Sequence, residues 1–190
     1  MTRRSGIVVR PVTRRRWSDL LELFGPNGAY SGCWCMWWRQ TSADYDRDHG
    51  EPNRRGLKRL VDGGRVPGLL AYVDGEPVGW VSVAPREQFG RLERSPVLKR
   101  VDDRPVWSVV CFYIHRSHRR RGVGAALLEA AVAQAARRGA RIVEGYPVDT
   151  QGRKAVSASI YTGVASMFED AGFREVERRT PNRPIMRRRV

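Results

Sequence analysis

The sequence predicts an α+β sandwich, a mixed central sheet of about seven strands flanked by helices, and three observations carry that expectation. Val106–Glu129 reads as a mostly apolar, β-branched run, then an arginine turn with Gly122 and Gly124, then an alanine-rich helix. Leu69–Val73 and Val78–Val83 flank Asp74-Gly75-Glu76-Pro77, a hairpin signature in which Gly75 supplies positive φ. Phe173–Arg178 and Ile185–Arg189 flank Thr180, Pro181 and Asn182, which predicts a terminal hairpin.

The remaining elements follow in order. Gly6–Val12 reads as the first strand, and Trp17, Leu20, Leu21 and Phe24 recur at helical spacing within Thr13–Phe24 until Gly25, Pro26, Asn27 and Gly28 break the pattern. Thr41–Pro52 is polar and turn-rich, Asn53–Asp62 predicts a helix stopped by Gly63 and Gly64, and Glu87–Asp103 reads as a charged loop with room for one helical turn. Val106–Ile114 is a buried fourth strand, Gly122–Arg138 the longest helix, Arg141–Tyr146 a fifth strand, and Thr162–Asp170 a shorter helix ended by Gly172. A right-handed parallel crossover through the long helix would pair the fourth and fifth strands.

Composition narrows the class. With 190 residues and 41% hydrophobic content, one domain spanning 1–190 is expected. No apolar run approaches the roughly 20 residues of a membrane span, and the basic N-terminus does not read as a secretory signal, so a cytoplasmic protein without a membrane partner is expected. The net charge is +15, and all but three of the 35 basic residues are arginine. Two readings stand: an anionic partner, whether a phosphorylated cofactor or a nucleic acid, or a solvated basic surface with a charged tail at Arg187–Arg189. The odd count of cysteines, Cys33, Cys35 and Cys111, argues against a disulfide framework, and three histidines do not complete a metal site. Trp34, Trp37 and Trp38, with Met36, form an aromatic run that either lines a substrate tunnel or anchors a loop.

The strand, turn and helix start make an oxyanion cradle, because glycines admit close backbone approach and the first helical turn leaves amides without intrahelical partners. Arg119-Arg120-Arg121-Gly122-Val123-Gly124 resembles the Arg/Gln-x-x-Gly-x-Gly/Ala turn of the GNAT superfamily of acyl-CoA-dependent N-acyltransferases. Met167-Phe168-x-x-x-Gly172-Phe173 adds to the likeness, which spans Leu69–Phe173, and neither a nucleotide P-loop ending nor a dinucleotide fingerprint fits.

The resemblance implies a GNAT-like sheet with a splay between strands four and five, and acetyl-CoA as donor. Amides of Arg120, Arg121, Gly122, Val123, Gly124 and Ala125, with charge from Arg119 and Arg121, would hold the pyrophosphate. The backbone of Phe112, Tyr113 and Ile114 would pair with pantetheine and polarise the thioester carbonyl, and Phe168 would also lie at the cofactor.

The family reaction is direct attack of an amine through a tetrahedral intermediate, with a tyrosine four residues before the Gly-Phe pair as acid. Here that position is Phe168, which cannot donate a proton, and the asparagine common at the position of Tyr161 is missing. The acid is then another group or water, with Tyr161 and Tyr146 as candidates, and Glu144 is the preferred base, with Asp149 behind it. The competing reading of Glu144 is an exposed strand-end carboxylate paired with arginine. Cys111 reads as inert core rather than an acyl-cysteine.

The family's acceptor pocket maps onto Trp17–Arg39, Arg86–Arg104 and Tyr146–Tyr161, where Tyr30, Trp34, Trp37 and Trp38 favour an apolar, aromatic or cation-stacking amine. An aromatic slot that excludes water would also depress the amine pKa. The expected function is acetyl transfer to a small-molecule or peptide amine by a monomer or homodimer. The alternatives are a transferase that depends on aminoacyl-tRNA or acylates tRNA, and a catalytically silent acyl-CoA-binding module.

Overall fold

The computed structural model describes residues 6–153 and 159–190. Seven strands form one sheet: β1 (Val8–Pro11), β2 (Gly68–Val73), β3 (Glu76–Pro85), β4 (Trp107–Ile114), β5 (Ile142–Gly145), β6 (Arg174–Arg178) and β7 (Pro184–Arg189). Their order is β1-β2-β3-β4-β5-β7-β6, and the β4–β5 pair alone is parallel. The helices are α1 (Trp17–Phe24), α2 (Ser42–Arg47), α3 (Glu51–Asp62), α4 (Gly90–Arg94), α5 (Val123–Arg137) and α6 (Ala165–Asp170). None is long and apolar enough to cross a membrane.

Local chemistry explains most of these elements. Asp74 and Gly75 both take positive φ, at 51° and 88°, the left-handed pair that a tight hairpin between β2 and β3 requires. The polar stretch Thr41–Pro52 is not simply turn. Thr41 caps α2 by accepting from the Asp44 amide at 3.1 Å, and Pro52 sits in the first turn of α3, where its missing N–H costs nothing. The terminal hairpin forms as expected, but β7 inserts between β5 and β6, so the last strand of the chain is interior.

Two faces of the sheet are covered. Leu69, Val81, Val109 and Val143 pack under Leu127, Leu128 and Phe168 from α5 and α6. On the opposite face Trp80 and Leu70 meet Trp17, Leu20, Phe24, Trp34 and Leu57, while Val110, Tyr146 and Ile185 meet Trp38, Phe89 and Leu92. Each fully buried aliphatic or phenyl side chain contributes about 1.5–3 kcal/mol.

The feature that positions the site is an interruption. The β4–β5 ladder runs only from Trp107↔Val143 to Val109↔Gly145, whereas β4 continues to Ile114. Beyond Gly145 lie Tyr146 and Pro147, and a proline cannot donate to a ladder. Against β3 the register steps from Ser82↔Cys111 to Val83↔Val109, a β-bulge that leaves Val110 unpaired. Val110 and Cys111 therefore face the same side of the sheet, away from α5. Strands four and five splay apart as expected.

Gly145 is needed where the splay starts. A Cβ there would lie 2.1 Å from Phe168 Cε1, so the phenyl ring rests directly on the Gly145 backbone. Gly145→Ala forces that ring aside, and overpacking of this kind costs about 1–3 kcal/mol. Differential scanning calorimetry should show a fall of about 3–10 °C in melting temperature. An unchanged transition would mean that the ring is not held there.

Candidate active site

At the end of β4 the chain turns through Arg116–His118, where the His118 amide donates to the His115 carbonyl at 2.9 Å. Arg120 (φ 60°) and Gly122 (φ 82°) are both left-handed. The Ala126 amide makes the first bond of α5, to the Gly122 carbonyl at 3.0 Å, so the amides of Val123, Gly124 and Ala125 precede any intrahelical acceptor. No acidic side chain lies in the first turn. The positive end of a 15-residue helix, flanked by exposed Arg119, Arg120 and Arg121, is thus left for an outside anion.

The two glycines have different reasons. Gly122 has open space where a Cβ would stand, and only its φ demands glycine. At Gly124 a Cβ would lie 3.1 Å from Met167 Sδ and 3.5 Å from Ile114 Cδ1, so this glycine lets α5 close onto α6 beside the splay. Arg119 is partly committed as well, donating from Nε to the Ile114 carbonyl at 3.1 Å.

The exposed edge of β4 corrects part of the sequence expectation. The His115 amide donates to Val78 on β3, and strand alternation places the Tyr113 backbone on that same side, so only Phe112 and Ile114 present backbone to the splay. The Phe112 amide is already occupied, donating to the Tyr161 carbonyl at 2.6 Å. The Tyr113 ring packs edge-on against Phe24 at 5.8 Å. Phe168 is 0% exposed, enclosed by Gly145, Phe112 and Phe173, so its ring is core and does not reach the splay surface. Met167, named in the sequence motif but given no site role there, stands beside Gly124 and Gly163 instead.

Glu144 and Tyr146 are brought together and enclosed. The Tyr146 hydroxyl donates to Glu144 Oε1 at 2.6 Å, accepts from Arg86 Nη1 at 2.7 Å, and contacts Ser108 Oγ at 2.7 Å. Arg86 Nη1 also reaches Glu144 Oε1 at 2.9 Å, and Arg187 Nε reaches Oε2 at 2.7 Å. Glu144 and Arg86 are each 1% exposed and Tyr146 0%. Burial, then the Glu144 carboxylate, push the Tyr146 phenol well above its ordinary value. Glu144 is therefore not an exposed strand-end carboxylate, and neither side chain presents a free face to a substrate.

The same network binds the β3–β4 connection to the sheet. Arg86 adds bonds to Glu93 at 2.8 Å and to the Leu98 carbonyl at 2.8 Å, and Arg187 forks onto Asp102 at 2.6 and 3.1 Å. Arg187–Arg189 is accordingly no solvated tail: it lies in β7, and Arg188 donates to Glu129 and to the Ala171 carbonyl. A carboxylate in a buried strand demands cationic partners, but among so many arginines the sequence does not say which. Asp149 is tied to Arg178 at 2.9 Å and to the Gln151 amide, and those bonds, the amide's first, lower its pKa.

The aromatic run divides between two cores. Trp34, Cys35 and Met36 pack with Trp17, Phe24 and Trp80, whereas Trp38 packs with Phe89, Val110 and Tyr146 and lies 6.3 Å from the Tyr161 ring. Trp37 stacks under the Arg91 guanidinium at 3.6 Å, and Tyr30 is 68% exposed. Cys35 Sγ accepts from Trp80 Nε1 at 3.0 Å and is hydrogen-bonded to the Cys111 thiol. Tyr161 is half-buried, and burial raises its phenol to about 12. Part of the expected acceptor loop Tyr146–Tyr161, residues 154–158, lies outside the described residues.

The acetyltransferase (GNAT) family model matches residues 30–157. No curated protein matches the chain. Among solved structures, histone acetyltransferase HPA2 and related acetyltransferase from Corynebacterium glutamicum is 18% identical, with 95% of this chain and 94% of that one covered at a TM-score of 0.54. A GCN5-related N-acetyltransferase from Kribbella flavida is also 18% identical, covering 97% and 98% at 0.55. The PaiA N-acetyltransferase from Thermoplasma acidophilum, solved in complex with coenzyme A, is 14% identical, covering 97% and 99% at 0.54. These likenesses establish the shared fold.

The enclosed network makes Glu144 a structural test point. Glu144→Gln leaves two buried guanidinium groups facing a neutral amide, and breaking a buried pair costs about 3–5 kcal/mol. Urea unfolding should show that loss as a lower midpoint at an unchanged slope. A loss below about 1 kcal/mol, the scale of an exposed pair, would contradict the enclosure described here.

Proposed function

The chain belongs to the acetyltransferase (GNAT) family, which uses acetyl-CoA, and from that premise we propose that it transfers an acetyl group to a primary amine of a small molecule or peptide. The observation that carries this reading is the turn from β4 into α5, where uncommitted first-turn amides, a left-handed Gly122 and exposed arginines stand beside the open edge of β4. That cradle fits a diphosphate. Arg120–Ala125 would hold it through backbone N–H groups, with Arg119 and Arg121 adding charge.

Acetyl-CoA supplies the acyl group in activated form, as a thioester. The Ile114 and Phe112 backbone on the splay side would receive the arm, and the Phe112 amide becomes available once the Tyr161 carbonyl gives it up. Tyr161 is the acid of this proposal, since it is half-buried against Trp38 and its raised pKa keeps its proton through neutral pH. With Glu144 and Tyr146 enclosed, they act as positioning residues, holding the 86–102 connection against β5 and β7. Burial between Trp38 and Tyr161 would favour the neutral amine, the ammonium giving its proton to solvent water on entry.

Isothermal calorimetry with acetyl-CoA tests the cradle. Wild-type protein should bind, and Ala125→Glu, which places a carboxylate at an exposed position of the bare first turn, should weaken binding at least 10-fold. A wild type that does not bind acetyl-CoA would remove the premise of the reaction. Tyr161→Phe should lower kcat by about 100-fold or more with acetyl-CoA affinity within two-fold of wild type. Because the phenol titrates near 12 rather than 10, wild-type kcat should not fall between pH 8 and pH 10. A Tyr161→Phe enzyme with full kcat would hand the acid role to another group, and binding without turnover on any amine would identify a silent module.

A further inference from the structure

Buried polar side-chain atoms without a hydrogen-bond partner concentrate in one place among the described residues: Trp38 Nε1, Arg39 Nε and Nη2, Gln40 Oε1 and Arg91 Nη2. Arg39 is the exceptional member. Its Nη1 donates to Gln88 Oε1 at 3.1 Å and its guanidinium lies 4.5 Å over the Phe89 ring, but its Nε and Nη2 have no hydrogen-bond partner among the described residues. The ionisable groups that bear on it are the Cys35 thiol and a second cation, Arg65, with no carboxylate among them, and burial lowers its pKa to about 10.

Arg86 provides the internal contrast. More deeply buried than half-buried Arg39, it has Glu93, Glu144, Tyr146 and the Leu98 carbonyl for its donors. Leaving a guanidinium edge unpaired away from water is unfavourable, so a protein that completes one such group and not the other marks the second as a binding group. The free edge is specific in shape. Nε–H and Nη2–H point in parallel, the fork that matches both oxygens of one planar carboxylate.

Its position agrees with a substrate contact. Phe89, under the Arg39 guanidinium, belongs to the same cluster as Trp38 and the bulge residue Val110, and Trp38 in turn faces Tyr161. The fork and the Trp38 N–H thus belong to the aromatic wall that reaches Tyr161 and the bulged part of β4.

We propose that Arg39 binds a carboxylate of the acceptor, which is therefore an amine that also carries a carboxylate, in the simplest case an amino acid with an apolar or aromatic side chain. This rests on the acetyl-transfer reading above.

The test compares matched acceptors with full-length protein and acetyl-CoA, with the acetylated product quantified by mass spectrometry. L-phenylalanine is set against phenethylamine and L-phenylalaninamide, and L-leucine against isoamylamine. The carboxylate forms should show kcat/KM at least 10-fold above their partners, and Arg39→Met should bring that ratio to about one, chiefly through KM. Arg39→Lys keeps the charge without the fork and should lose at least half of the preference; it replaces Arg39→Met if that variant does not fold. Equal or reversed preference in the wild type, or a variant that lowers both forms alike, overturns the proposal.

If no amine is acetylated, the transfer reading falls on its own, and calorimetry with 3-phenylpropionate decides the Arg39 assignment. Binding that Arg39→Met abolishes supports it. No binding, or binding indifferent to Arg39, overturns it.

Discussion

Three residue pairs hold β4 and β5 together, and the rest of the site depends on that ladder being so short. Phe168 lies on Gly145, Pro147 follows, and β5 cannot accompany β4 to its end. The consequence is a strand edge inside the sheet rather than at its margin, with polar backbone groups on one side that no neighbouring strand satisfies. The Tyr161 carbonyl takes one of these amides and the Arg119 guanidinium one of the carbonyls. The N-terminus of α5 begins beside the same opening, because the turn from β4 is only eight residues long.

On the other side of that opening the sheet is fastened by charge. Glu144 receives Arg86, Arg187 and the Tyr146 hydroxyl, and through them the 86–102 connection is bound to the interior strands. Buried ion pairs seldom add net stability over apolar packing, but each partner is costly to remove. This network is better understood as setting one geometry for a long connection than as a source of stability. It also separates two chemical roles that a sequence pattern merges, since a carboxylate and a phenol two residues apart on a strand look like an acid–base pair until their partners are known.

The large positive charge divides in the same way. Arg86, Arg178, Arg179, Arg187 and Arg188 are committed to carboxylates or carbonyls within the fold. Arg39 is half-buried with two donors that lack a hydrogen-bond partner among the described residues, while the 119–121 run lies exposed beside a helix whose first turn holds no acidic residue. Net charge by itself describes the solution behaviour of the chain; position decides which cations meet a ligand.

Periodicity, glycine placement and the arginine turn were enough to determine the strands, the long helix, the hairpins and the left-handed turn into α5, because each is set by interactions within a few residues. The polar stretch around α2 escaped because its cap is a single local bond inside a segment rich in turn formers. The insertion of β7 beside β5, the enclosure of Glu144, Tyr146 and Phe168, the division of the tryptophans between two cores, and the capture of the Phe112 amide by Tyr161 were decided only by tertiary structure. All of these join residues distant in the chain, where sequence supplies the chemical types but not the partners, and burial and hydrogen bonding depend on which partner arrives.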